Sequence, residues 1–189
     1  MPGAAYDIFQ RHHLTVAEYY RMAEIGILAP DARVELIEGE IIDMPPIGSP
    51  HASTVFFISD RLRDAARGVA LVWVQNPIRL GQHSEPQPDI ALLRPRPDFY
   101  HSSHPTPADV FLIIEVADTS LAYDTQIKLP LYALHGIPEV WLADLPNRRF
   151  IVHCTPTQTG FQDVQTLTDI SAVTPLVLPQ VRIDLSDVF

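Results

Sequence analysis

The chain has 189 residues, 47% of them hydrophobic and 19% charged, which suits one domain with a core of its own. Its 13 Lys+Arg against 23 Asp+Glu give a formal net charge of -10. That excludes a protein that coats nucleic acid non-specifically, but not one that meets a few phosphates through metal ions or local Arg clusters. No apolar run approaches the roughly 18 residues of a membrane span. The start lacks a basic-then-apolar leader pattern, and the single cysteine, Cys154, has no internal disulfide partner, so a cytoplasmic protein is expected.

Residues 1–12 are read as a flexible lead-in to a single domain spanning 1–189. Thr15 and Glu18 form a Thr-x-x-Glu capping box that opens a helix running through Met22, with Gly26 as its stop. A hairpin follows: Val34-Glu35-Leu36-Ile37, a turn at Glu38-Gly39, then Glu40-Ile41-Ile42. Pro45, Pro46, Gly48 and Pro50 punctuate a loop. A second helix is expected from about Pro50 to Ala66, capped by Ser49 and stopped by Gly68. Val69 to Gln75 is β-rich, and Pro77 interrupts a short Ile78–Leu80 segment. Pro88-Asp89-Ile90-Ala91-Leu92-Leu93 and Val110-Phe111-Leu112-Ile113-Ile114-Glu115 read as two buried strands carrying acids at their ends. The Pro-rich stretch Arg94–Asp109 between them is long for a compact domain and is expected to be a lid or a substrate-facing loop. A third helix covers about Ala122 to His135, with Pro130 either kinking it or lying in its first regular turn. Val140–Leu142 and Phe150–Val152 follow as strands about a turn at Pro146-Asn147, and the tail adds one or two short strands, including Val181–Ile183. This order of elements implies an α/β (α+β) domain with a mixed central β-sheet flanked by helices.

An ionised carboxylate at the end of a buried strand is costly unless a cation compensates it. Asp89 and Glu115 on neighbouring strands are suited to hold one hard divalent ion, with the backbone carbonyl of Val116 as a third ligand. Mg²⁺ or Mn²⁺ there serves phosphodiester hydrolysis by activating water and neutralising charge at phosphorus. Lys128 is the cation able to orient or deprotonate that water, or to offset developing charge. Asp124 precedes it by one helical turn and shares its face.

The residues Val34-Glu35-Leu36-Ile37-Glu38-Gly39-Glu40, His51 after Ser49-Pro50, Gln87-Pro88-Asp89, Glu115-Val116 with Ser120, Asp124 with Lys128 and Tyr132, and Gly136-Ile137-Pro138-Glu139-Val140-Trp141 with Asp144 together resemble the Uma-type restriction endonuclease family of bacterial proteins, within the PD-(D/E)XK nuclease superfamily. The match runs from about His13 to Val152. The resemblance implies a restriction-endonuclease-like core and a divalent-metal site with Asp89 and Glu115 as its carboxylates. It maps an upstream acid onto Glu35 and implies DNA as substrate and a homodimer. The superfamily's usual tripeptide lysine is missing, because the chain reads Glu115-Val116-Ala117. The lysine of this site is therefore the helix-borne Lys128.

Each of these residues also has a plainer reading. Asp89 and Glu115 are then strand-end acids reaching solvent, Glu35 an exposed hairpin position, and Asp124–Lys128 a surface pair worth a few tenths of a kcal/mol. His51 is a helix-start residue able to point into a cleft, and Gln87 and Tyr132 are secondary candidates. Trp73 and Trp141 are read as core, His101 and His104 as loop residues without a zinc site, and the Arg61/Arg63/Arg67 and Arg94/Arg96 clusters as solvated charge. Two other functions stay open: a catalytically silent binding or assembly module that keeps the fold, and a metal hydrolase of small phosphoesters.

Overall fold

The computed structural model describes residues 11–189; the expectations for residues 1–10 lie outside them. Helix α1 (Val16–Glu24) begins at the foreseen capping box, in which Thr15 and Glu18 bond reciprocally. Strands β1 (Val34–Ile37) and β2 (Glu40–Asp43) form the hairpin. Glu38 and Gly39 both adopt positive φ, 48° and 82°, as a tight two-residue hairpin turn requires. A Cβ at Gly39 would stand 2.5 Å from His13 Cβ, so only glycine fits there. Helix α1 is tied to the rest by Glu85, a buried carboxylate that accepts from Tyr20 Oη at 2.6 Å and Arg79 Nε at 3.0 Å.

Helix α2 spans Ser49–Ala65. Its cap is Gly48, not the expected Ser49, which is the first helical residue; Pro50 sits in the opening turn, where its missing N–H costs nothing. Strands β3 (Leu71–Val74), β4 (Ile90–Leu93), β5 (Val110–Ala117), β6 (Glu139–Asp144), β7 (Arg149–Thr157) and β8 (Gly160–Leu167) form one sheet in that order. All neighbours are antiparallel except β5 and β6, so the sheet is mixed as expected. The Ile78–Leu80 segment is not a strand. It closes a loop through Ile78 N–H to Pro86 O and Leu80 N–H to Ser84 O. Strand β8 was missed, because its Gln, Asp and Thr positions dilute the apolar pattern on an exposed sheet edge. Val181–Ile183 contributes an isolated Val173–Ile183 bridge rather than a strand.

The expected third helix is one continuous helical segment with a widened middle. It runs through α3 (Leu121–Tyr123), a π-helical turn over Asp124–Lys128, and α4 (Leu129–Leu134). The Leu129 N–H reaches back to Asp124 O. Pro130 explains the widening: it has no N–H, and its ring excludes the carbonyl four residues earlier. The regular helix α4 begins just after Lys128 with Pro130 in its first turn, the second of the two expectations, and the π turn joins it to α3 without a break.

Two apolar clusters cover the two sheet faces. One joins α2 residues Val55, Ile58 and Leu62 to Ile90, Leu112, Ile114, Trp141 and the tail residues Val181 and Leu185. The other joins Leu129, Leu131 and Tyr132 to Ala91, Ile113, Val140 and Leu142. Trp141 is fully buried, as read, while Trp73 is half-buried. The Arg94–Asp109 stretch is not a lid. Tyr100 anchors it against Trp73, Arg96 ties it through Asp98 and Ser103, and none of its residues lines the main cleft. No helix of the described residues is long and apolar enough to cross a membrane.

The β6–β7 turn is held by Asp144, which has no solvent exposure. It accepts from Arg149 Nη2 at 2.6 Å and Asn147 Nδ2 at 2.9 Å. Burial acts to raise its pKa, but the bonds from Arg149 and Asn147 outweigh it and hold the carboxyl below its ordinary value. A depressed folded pKa contributes stability above the unfolded value near 3.9 and loses it as pH falls through the folded value. Asp144→Asn should therefore cost about 1–3 kcal/mol in urea unfolding at pH 7. The gap from the parent should shrink when both are measured near pH 3.

Candidate active site

Antiparallel pairing of β4 and β5 brings the two strand-end acids together. Ile90 pairs with Ile114, so one further step sets Asp89 opposite Glu115. Strand alternation turns both to the face of the sheet that carries the helix of Lys128. The hairpin strand β1 contributes Glu35 from the side, and the first turns of α2 contribute His51. These groups line a cleft of about 320 Å³, together with Arg33, Gln75, Gln87, Ser120, Tyr123 and Asp124.

Lys128 is the centre of the arrangement. Its Nζ lies 3.3 Å from Glu115 Oε1 and 3.5 Å from Glu35 Oε2, and it donates to the Gln87 carbonyl at 3.3 Å. Glu35 and Glu115 are each 1% exposed, Asp124 3% and Lys128 4%. The plain surface readings of Glu35, Glu115 and the Asp124–Lys128 pair therefore fail. Asp124 instead accepts from Ser120 Oγ at 2.5 Å, and the lysine's partners come from two other elements.

The carboxylates nearest the lysine are held by named donors. Glu35 accepts from the Gln87 backbone N–H at 2.9 Å and from Tyr123 Oη at 2.9 Å. Glu115 accepts from Tyr132 Oη at 2.5 Å and from the Asp89 N–H at 3.3 Å. Asp89 accepts from the Val116 N–H at 2.9 Å through Oδ2, and its Oδ1 lies 2.9 Å from His51 Nε2. His51 Nδ1 is 2.8 Å from Val116 O. Glu35, His51, Asp89, Glu115, Lys128 and Tyr132 therefore belong to one bonded network joined through the Gln87 and Val116 backbones, with Tyr132 and the Val116 peptide just behind the cleft wall, while Asp124 bonds only to Ser120. Sequence reasoning missed Tyr123, whose only signal was its place directly before Asp124 on the helix of Lys128. Gln75, 3.4 Å from Asp89 Oδ1, gave none.

The electrostatics follow from four carboxylates facing one ammonium in a buried setting. Burial pushes the Glu115 carboxyl up to about 8, with Lys128 opposing and Asp89 and Asp124 adding to the rise. Burial also raises Asp124. For Lys128, burial alone would lower the pKa, but Glu115, Glu35, Asp124 and Asp89 outweigh it and hold the amine above its ordinary value. The two shifts pull against each other across one contact. The four acids favour the charged form of the lysine, and burial favours the neutral form of Glu115. The hydrogen bond to Asp89 raises His51 against the opposing effect of burial.

Such a site is short of positive charge, and its oxygen-rich donor set suits a hard divalent cation. Among the described residues no three His, Cys, Asp or Glu side chains converge as a ready cage. Mg²⁺ does not need one, since it keeps waters and binds through one or two carboxylates plus substrate phosphate oxygens. The residues present fit that mode. No comparable set forms around His101 and His104; His104 stacks on Tyr20 instead. The Arg61 and Arg63 side chains on α2, and Arg67 just past its end, lie exposed and away from the cleft lining.

A family model described as Uma2, "Putative restriction endonuclease", matches residues 16–186. The chain belongs to the Uma2 family. Its fold is similar to a crystal structure of a "putative nuclease belonging to DUF820" from Anabaena variabilis, with a TM-score of 0.70 and 18% identity, covering 93% of this chain and 97% of the other. No match is found among curated proteins. The restriction-endonuclease-like fold expected for this Uma2 member is therefore the one observed. The catalytic, metal and secondary roles expected of the cleft residues rest on the geometry above.

Glu115 offers a check on these electrostatics. A raised folded pKa contributes stability that is full below the unfolded value of 4.5 and is lost as pH rises through about 8. Glu115→Gln should therefore flatten the decline of metal-free stability between pH 5 and 8. The check is urea unfolding at each pH, followed by tryptophan fluorescence in EDTA.

Proposed function

We propose that this Uma2 protein is a divalent-metal-dependent DNA endonuclease hydrolysing phosphodiester bonds. One observation carries the reading: Glu35, Asp89, Glu115 and Asp124 surround a single buried lysine at the wall of an open cleft. A purely structural core has no reason to collect four acids around one cation, since unpaired buried charge is strongly destabilising. Asp89 and Glu115 would hold Mg²⁺ or Mn²⁺, with Glu35 beside them, and the ion would supply charge neutralisation and a more acidic water; the Val116 carbonyl expected as a third ligand faces His51 Nδ1 instead.

The chain's own groups have separable tasks. The acids around Lys128 favour its charged form. The lysine offsets negative charge developing on phosphate oxygens from a fixed position. Tyr123 and the Gln87 N–H fix the Glu35 carboxylate, and Tyr132 fixes Glu115. Arg33, held by its bond to the Pro45 carbonyl at 2.9 Å, places a second cation at the cleft mouth for the substrate backbone. Local cations of this kind allow DNA to bind an acidic protein.

A second reading, a silent module that keeps the fold, has one observation in its favour: the acids are already bonded by protein donors and form no ready cage. The two readings part on cleavage. Supercoiled plasmid should be nicked in Mg²⁺ or Mn²⁺, and Asp89→Ala should reduce nicking by about a hundredfold or more. Equal cutting by parent and variant sinks the endonuclease reading. Cleavage of a chromogenic phosphodiester without any cutting of DNA would instead favour a small-phosphoester hydrolase.

Cutting both strands of a duplex calls for two sites related by a two-fold axis, so we also propose a homodimer. Light scattering should return twice the 21.2 kDa chain mass; a mass of one chain at micromolar concentration refutes it.

A further inference from the structure

The geometry points to His51 as a direct ligand of the cleft's divalent ion, and to a first-row transition ion such as Mn²⁺, rather than Mg²⁺, as the ion held best. The inference rests on the metal-site reading above and goes beyond it by naming a nitrogen ligand and the class of metal that ligand selects.

The argument begins with Val116. Its carbonyl oxygen is 2.8 Å from His51 Nδ1. A carbonyl only accepts, so Nδ1 carries the hydrogen. In the neutral ring this leaves the Nε2 lone pair bare beside Asp89. Nε2 stands 2.9 Å from Asp89 Oδ1, a carboxylate oxygen that likewise only accepts. Two acceptor atoms 2.9 Å apart call for a cation between them, either a shared proton or a metal ion. Ligands held about 2.1 Å from an ion and at right angles lie about 3.0 Å apart, which matches the observed separation.

The second shell is already built. A ligating histidine usually gives its other ring N–H to a backbone carbonyl or carboxylate, which fixes tautomer and ring angle. Here one residue does this for both ligands. The Val116 carbonyl holds His51, and the Val116 N–H holds Asp89 Oδ2 at 2.9 Å. Because Val116 lies next to Glu115 near the end of β5, the sheet sets the positions of all three acid and imidazole groups. His51 reaches in from the opposite layer, near the start of α2. Imidazole favours first-row transition ions, whereas Mg²⁺ favours oxygen alone.

A proton shared by His51 and Asp89 would produce the same separation, and metal titration separates the two cases. Binding to the full chain is measured by the EPR signal of free Mn²⁺ and by calorimetry with Mg²⁺, for the parent, His51→Ala, His51→Gln and Asp89→Ala, each first checked for native circular dichroism. The parent should bind Mn²⁺ at least about tenfold more tightly than Mg²⁺. Both His51 variants should lose at least about tenfold in Mn²⁺ affinity while Mg²⁺ affinity stays within about twofold, so that the preference collapses. His51→Gln guards against a folding artefact, because its amide still donates to Val116. Unchanged or tighter Mn²⁺ binding in the His51 variants overturns the inference, since that is what removal of a competing cation would give. Asp89→Ala with parental Mn²⁺ affinity overturns the metal-site reading itself, a separate failure.

Discussion

A lysine buried against two glutamates sets the terms for everything around it. The Lys128 ammonium is withdrawn from water and lies 3.3 and 3.5 Å from Glu115 and Glu35. Neither acid would tolerate such burial alone, and the lysine would not either. Each group therefore obliges the others to stay, and each comes from a different element: strand β5, the hairpin strand β1 and the helical segment after β5. The contact that offsets buried charge is thus also the contact that fixes how hairpin, sheet and helix meet.

Two local features make that meeting geometrically possible. The antiparallel register of β4 and β5 sets Asp89 across from Glu115. The π-helical turn over Asp124–Lys128 carries Asp124 and Lys128 inward together, between Tyr123 and Tyr132. Pro130 forces that wide turn, and single π turns of this kind are frequent at functional sites. Tyr123 and Tyr132 then donate to Glu35 and Glu115 from the two ends of the same segment. The helix thereby supplies both the compensating charge and the hydroxyls that orient the acids.

The remaining charge imbalance distinguishes this cleft from an ordinary buried ion pair. After Lys128 is satisfied, Asp89 and Asp124 are still present, Glu115 is pushed toward its neutral form, and His51 is drawn toward Asp89. Folded proteins seldom keep such a deficit without a use for it. Membership of the Uma2 family and the nuclease-like fold agree with a use in handling phosphates, despite a net charge of -10 over the whole chain.

Much of this was legible in the residues in order. The capping box at Thr15–Glu18, the Glu38-Gly39 turn and the apolar strands β4, β5 and β6 depend on neighbours within a few positions, so local patterns reveal them. Asp89, Glu115 and Lys128 stood out because charge at the edge of an apolar run is costly wherever it falls. Strand β8 and the Gly48 cap did not stand out, since an edge strand with polar faces and a cap without a side-chain bond leave weak signals. What only the tertiary structure decided is which groups meet: Lys128 with Glu35 and Glu115 instead of Asp124, Tyr123 with Glu35, His51 with Val116 and Asp89, and Arg94–Asp109 away from the cleft. These contacts join residues far apart in the chain. They are chosen by strand register, by the π turn and by the energy of buried charge, none of which is a property of any short stretch of sequence.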